Sequence, residues 1–88
     1  MNWQAFFDTS DIKILFYLHE NHEARYSELE KDVVKTRSVL SVSLRDLSKR
    51  KLIERMVETT KPIQTRYKLS DKGSKLVQQL INIQKLVI

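Results

Sequence analysis

The sequence predicts an α+β fold that is mainly α, with a three-helix core, a β-hairpin and one long closing helix. Three observations predict it. Apolar residues recur at three- and four-residue spacing in separate stretches of the chain, around Ile12–Leu18, Leu29–Val33, Leu40–Leu47 and Leu76–Val87. Between Leu52 and Leu69 the period falls to two, the spacing of a half-buried strand. Residues with short polar side chains stand just ahead of the helical stretches, where a side-chain oxygen can accept from an unpaired backbone amide. An 88-residue chain makes one domain, 1–88, able to bury roughly 60–70% of its unfolded surface. Residues 9–69 form its core and hairpin, and 70–88 its last helix.

The elements follow in order. Trp3, Phe6 and Phe7 are spaced as a short helical lead-in. Thr9 or Ser10 caps a first core helix whose apolar positions are Ile12, Leu15, Phe16 and His19, with Ile14 and Leu18 on a second edge, and polar residues end it near Asn21-His22-Glu23. Ala24-Arg25-Tyr26 is a very short extended segment, placed to pair with the later hairpin. Ser27-Glu28-Leu29-Glu30 has the form of a capping box, which starts the second helix at Glu28. Leu29, Val33 and Val34 give that helix its apolar edge until Lys35-Thr36 breaks the pattern. Thr36 caps a third helix from Arg37 to about Lys51, with Leu40, Leu44 and Leu47 inward.

Beyond Lys51, Leu52, Glu54 and Met56 fall on one face of a strand and Ile53, Arg55 and Val57 on the other. A second strand, Gln64 to Leu69, sets Thr65, Tyr67 and Leu69 against Arg66 and Lys68. Pro62 falls in the loop between them, where its missing amide donor does no harm. Ser70 caps the last helix from Asp71. Its Leu76, Leu80, Ile83 and Val87, flanked by Val77 and Ile81, offer more apolar surface than one small domain can cover. A homodimer through Leu76, Leu80, Ile83, Val87, Trp3, Phe6 and Phe7 would cover it, and packing of the last helix on the N-terminal aromatics is the competing arrangement.

Charge points to the partner. Sixteen Lys and Arg against 11 Asp and Glu leave a net charge of +5, with a pI near 9.6, which favours a polyanion. Basic residues collect at Arg45, Lys49, Arg50, Lys51 and Arg55 and again at Lys61, Arg66 and Lys68, while Glu20, Glu23, Glu28, Glu30 and Asp32 crowd the first third. No apolar run is long enough for a membrane span. The N-terminus has neither the basic start nor the apolar stretch of a signal peptide. The absence of cysteine excludes disulfides and thiolate metal sites and fits a reducing cytoplasm.

From Ser43-Leu44-Arg45-Asp46-Leu47 through Lys51-Leu52-Ile53-Glu54-Arg55 to Lys61-Pro62-Ile63-Gln64-Thr65-Arg66-Tyr67-Lys68-Leu69-Ser70-Asp71-Lys72-Gly73, the chain resembles the winged helix-turn-helix regulators of bacteria and archaea. Among them it looks most like the HxlR, MarR and PadR branches. The similarity spans roughly Asp11 to Leu80, and Tyr67-x-Leu69-Ser70-x-x-Gly73 is its most specific part. Two departures stand out. Lys51 occupies a turn where glycine is usual, so the exit from the third helix must be held in another way, and the N-terminal cysteine frequent in the HxlR branch is absent.

The resemblance implies a homodimeric repressor of double-stranded DNA, with the third helix in the major groove and the hairpin as a wing on the backbone or minor groove. The outward residues of that helix are Arg37, Ser38, Val39, Ser41, Val42 and Arg45, with Lys49 near its end. Arginine can grip guanine edges or a phosphate, serine either bases or backbone, and valine a thymine methyl. Val39 and Val42 serve almost equally well as packing against the first helix, and Lys49, Arg50 and Lys51 complement a helix C-terminus. Ser27 and Thr36 cap helices whose amides attract anions. In the wing, Lys61, Gln64 and Arg66 are placed for the backbone or minor groove, although lysines on a hairpin also guard its edge.

The other function classes are a winged-helix module for protein association and a non-specific, chromatin-type DNA binder. Catalysis finds no support. His19 and His22 lack the partners of a metal site, and the chain has no phosphate-cradling loop and no nucleophilic triad. No catalytic residue, metal or cofactor is assigned, and the sequence does not reveal a small-molecule effector.

Overall fold

The computed structural model describes residues 1–59 and 62–88. The element order is α1 (Trp3–Phe7), α2 (Ser10–Asn21), β1 (Glu23–Arg25), α3 (Tyr26–Asp32), α4 (Arg37–Lys49), β2 (Ile53–Glu58), β3 (Gln64–Leu69) and α5 (Asp71–Val87). Helices α2, α3 and α4 form the core, and β1, β3 and β2, in that order, form one antiparallel sheet. This is the predicted mainly α, α+β winged helix-turn-helix.

The core is built from the predicted stripes. Ile14, Leu18, Leu29, Leu40 and Val77 lose essentially all access to solvent, so α2 to α5 share one apolar interior. α1 joins it through Phe7, which stacks on Phe16 with ring centroids 6.0 Å apart. Asn2 holds the start of α1, its Oδ1 accepting from the Ala5 amide at 3.1 Å.

The short extended segment does pair with the hairpin: Ala24 lies opposite Tyr67 in β3, and both are buried. In the hairpin itself Ile53 faces Leu69, Arg55 faces Tyr67 and Val57 faces Thr65. Directly opposed residues share a face of a sheet, so these three pairs look toward the helices. Met56, Arg66, Glu54 and Lys68 occupy the outer face.

Two helix boundaries and one cap differ from the sequence expectation. α3 starts at Tyr26 rather than Glu28, because the Arg25 amide donates to Glu28 Oε1 at 2.9 Å, which moves the first turn two residues upstream. Ser27 is thereby inside the helix and caps nothing. An arginine side chain has no acceptor, so only the carboxylate half of a capping box forms. Thr36 does occupy the position before α4, with extended backbone, but its side chain makes no capping hydrogen bond. α4 ends at Lys49 rather than Lys51, since Lys51 turns into the left-handed region at φ 59°.

The helix exit that lacks a glycine is held from α5. Ser70 Oγ donates to the Lys51 carbonyl at 2.6 Å and accepts from the Gly73 amide at 3.0 Å, so one hydroxyl both fixes the turn and caps the last helix. Lys72 Nζ donates to the Arg50 carbonyl at 2.9 Å, and the Ser70 amide donates to the Leu52 carbonyl at 3.0 Å. Gly73 completes the joint. A Cβ there would stand 1.9 Å from the Leu52 carbonyl oxygen, inside any possible contact distance.

Candidate nucleic-acid interface

With Leu40, Ser43, Leu44 and Leu47 buried, the opposite side of α4 is fixed by helical geometry. Ser38, Val42, Arg45 and Lys49 follow one another at four, three and four residues along its outermost line, and all are exposed. Val39 and Val42 keep 46% and 51% of their surface, so neither is consumed by packing. They border a shallow recess of about 350 Å³ between the starts of α2 and α4. At its floor Ser43 Oγ meets Ser10 Oγ at 2.7 Å, which ties the two helices together and satisfies the one buried polar side chain among the described residues.

The residues nearer α3 are already engaged. Arg37 Nε donates to Glu30 Oε2 at 2.8 Å, although the arginine side chain is otherwise well exposed. That hydrogen bond pulls the Glu30 carboxyl below the ordinary glutamate range and raises the Arg37 guanidinium further. Ser41 Oγ lies 2.9 Å from the Tyr26 hydroxyl, which also donates to the Arg37 carbonyl at 3.4 Å. A groove-reading residue at Arg37 therefore has to exchange a carboxylate for its target, whereas Ser38, Val42, Arg45 and Lys49 are free to meet one.

The sheet divides the wing candidates. Arg66 was expected to reach DNA, but it lies on the outer face between two carboxylates. Nη1 donates to Glu23 Oε1 at 2.6 Å, and Nε lies 2.8 Å from Glu58 Oε1 without the alignment of a hydrogen bond. Its charge, stabilised first by Glu23, ties β1, β3 and β2 together. Gln64 opens β3 and is half-buried beside Arg25, Tyr26 and Ser27. Lys61 lies outside the described residues.

Arg55 was missed as a candidate. It stands on the helix-facing side of β2, opposite Tyr67, yet it is exposed. Together with Arg45 and Lys49 of α4 it lines a cleft of about 600 Å³ between the helix and the sheet. The signal was present in the alternation, since Arg55 interrupts the apolar face formed by Ile53 and Val57.

Elsewhere the expected groups separate. Leu80 and Phe7 are buried in the chain's own core, whereas Leu76, Val87, Trp3 and Phe6 remain partly open at its edge. Ile83 is 37% exposed, and Leu86 and Ile88, which the sequence reading passed over, are 85% and 65% exposed. His19 is half-buried on α2, while His22 lies beyond the helix end at φ 67°, so the two do not share a helical face. No helix of the described residues is long and apolar enough to cross a membrane.

Comparison with known proteins agrees with this architecture. The sequence model of the HxlR-like helix-turn-helix family matches residues 10–88. Among solved structures, the chain is similar to a transcriptional regulator homologue from Pyrococcus horikoshii OT3, with a TM-score of 0.80 at 19% identity over 88% of this chain and 77% of that one. It is similar to the reduced form of the regulator YodB from B. subtilis, at a TM-score of 0.71 and 20% identity over 82% and 72% of the two chains. The oxidised form of the redox regulator HypR superposes at 0.73 with 21% identity, over 98% of this chain and 93% of the other. Among curated protein sequences none matches this chain.

Proposed function

The chain belongs to the HxlR-like helix-turn-helix family of DNA-binding transcriptional regulators, and from that membership we propose that it acts as a homodimeric, sequence-specific repressor that occupies operator DNA. The observation that carries this reading is the line Ser38, Val42, Arg45 and Lys49. It is an exposed stripe on one side of a helix whose other side is core. Such a helix can enter a major groove without giving up any packing. Arg37, Val39 and Ser41 complete the surface toward the groove floor, with Ser27, Thr36 and Gln64 at its borders, and Lys61 joins the DNA contacts on the ground of the sequence alone. Arg66 is left to hold the sheet.

Dimerisation is supported by Ile83, Leu86 and Ile88, aliphatic side chains exposed toward the end of the chain, and by Leu76, Val87, Trp3 and Phe6, which stay partly open at the edge of the core. Two copies related by a two-fold axis would read a pseudopalindrome with half-sites about one helical turn apart. The setting is the cytoplasm, where such operators lie, and the family is one of regulators rather than enzymes.

A second reading, a sequence-tolerant DNA binder, is favoured by one specific feature. The strongest base-reading group in the first turn of α4, Arg37, is held by Glu30, which leaves serine and valine to do most of the reading there. Selection of bound duplexes from a random library, at two salt concentrations, separates the two. A two-fold symmetric motif supports the repressor. Salt-sensitive recovery without a motif supports the tolerant binder, and no recovery at either salt removes DNA binding in favour of a protein-association module.

A further inference from the structure

We infer that the cleft between α4 and β2 is a phosphate seat. Arg45 and Lys49 from the helix and Arg55 from the strand close on one backbone phosphate of the duplex, and Arg55 is a DNA-contacting residue of the wing base. The inference rests on the DNA-binding reading above and assigns these cations to backbone rather than to bases.

The first observation is placement. Arg55 takes the register position opposite Tyr67, on the side of the sheet that Ile53 and Ala24 devote to the core. An arginine there forgoes apolar packing. A long stem laid against an aromatic ring with the guanidinium in solvent is how such a position is tolerated. In this fold it aims the charge into the space beneath α4.

The second observation is electrostatic. Arg45, Lys49 and Arg55 have no carboxylate within 4 Å among the described residues, whereas Arg37, Arg66 and Lys68 all do. The walls of the cleft contain no acidic residue at all; Tyr26, Tyr67 and Leu44 supply the rest of the lining that matters here. Three like charges around one opening of about 600 Å³ repel one another until an anion enters. The apolar walls lower the local polarisability and strengthen that attraction, as in other charge-lined clefts.

The third observation is position along the fold. Arg45 and Lys49 continue the exposed line of Ser38 and Val42 toward the C-terminal end of α4. When the first half of the helix lies in the groove, the second half is carried out over the adjoining strand. The sheet stands on that same side, so a phosphate there meets helix and wing together.

The experiment measures binding of wild type, Arg55→Ala and Arg55→Lys to two unrelated duplexes of about 20 base pairs, roughly two helical turns, across a salt series. Arg55 is exposed, so both variants are expected to unfold at the wild-type temperature. Phosphate contact predicts that Arg55→Ala weakens both duplexes alike, by about tenfold at ~0.1 M salt, and flattens the slope of log K against log salt by about one per protomer. Arg55→Lys keeps most of the slope. Unchanged affinity and slope in Arg55→Ala, with wild type binding normally, overturns the inference and leaves the DNA-binding reading intact. A loss confined to one duplex makes Arg55 a base reader and also overturns it. Inorganic phosphate or adenosine monophosphate binding to wild type more tightly than their ionic strength explains, lost in Arg55→Ala while duplex affinity holds, makes the cleft a small-ligand site instead. Failure of wild type to bind any duplex overturns both readings.

Discussion

At the scale of single residues the joint around Leu52 gives the clearest predictions. In the interior of an ordinary helix, replacing glycine by alanine gains about 0.5–1 kcal/mol. At Gly73 the added carbon meets the Leu52 backbone, which cannot rotate away, so the sign reverses. Gly73→Ala is expected to destabilise the fold by about 3 kcal/mol or more, measured by urea unfolding. Lys51 poses the opposite case. A left-handed non-glycine residue costs about 1–2 kcal/mol, partly offset by the greater unfolded-state freedom of glycine, so Lys51→Gly should stabilise by about 0.5–1 kcal/mol. Glu30 bears on binding instead. Its carboxyl is held low by Arg37, so the contribution of the pair is present above the ordinary glutamate range and fades as pH falls through the lowered value. Glu30→Gln removes that acid-side loss and frees Arg37. Affinity for unrelated duplexes should then rise about threefold at neutral pH, read by fluorescence anisotropy. A fall in affinity would show that Glu30 positions Arg37 productively.

At the scale of elements, α5 holds two different surfaces. Val77 and Leu80 belong to the core, while Leu86 and Ile88 are largely open to solvent and Ile83 partly so in one copy of the chain. Leu86→Glu should leave the secondary structure of the chain intact, as a change at an exposed position does, yet shift the sedimenting species from dimer to monomer. A dimer that survives the substitution would place the interface elsewhere. The sequence made α5 and the hairpin legible because each carries an unambiguous signal, a cap at Ser70 followed by four-three spacing, and strict alternation from Gln64 to Leu69. It misled at α3, where two glutamates at different offsets could close a capping box. Glu28 closes half of one on Arg25, and Glu30 goes to Arg37 instead. Nothing in local spacing distinguishes them, because the choice is made by where α4 lies. The roles of the wing cations are less legible for a related reason. Alternation showed that Arg55 and Arg66 lie on opposite faces, but which face meets α4 is a tertiary fact, and the acidic partners that neutralise Arg66 sit on two other strands.

At the scale of the whole molecule, +5 per chain is spread unevenly in effect, because several cations spend their charge internally on Glu23, Glu30, Glu54 and Glu58. The steepness of the salt dependence should therefore track the unpaired cations of α4 and β2 rather than net charge. Log–log slopes for wild type and for Arg66→Gln should agree within about half a unit, since loss of even one phosphate contact would lower the slope by about 0.9. The joint at Leu52 has a further, mechanical consequence. Backbone of Leu52, the residue that leads into β2, and the first turn of α5 touch there with no side chain between them, and the amide and hydroxyl of Ser70 clamp both sides of the turn. No flexible segment intervenes, so α5 and the root of the wing move as a single lever. In a dimer built on α5, a small change in the angle between the two long helices would swing both wings through the same arc and alter the span between them, making that one backbone contact the gearing between subunit arrangement and fit to DNA.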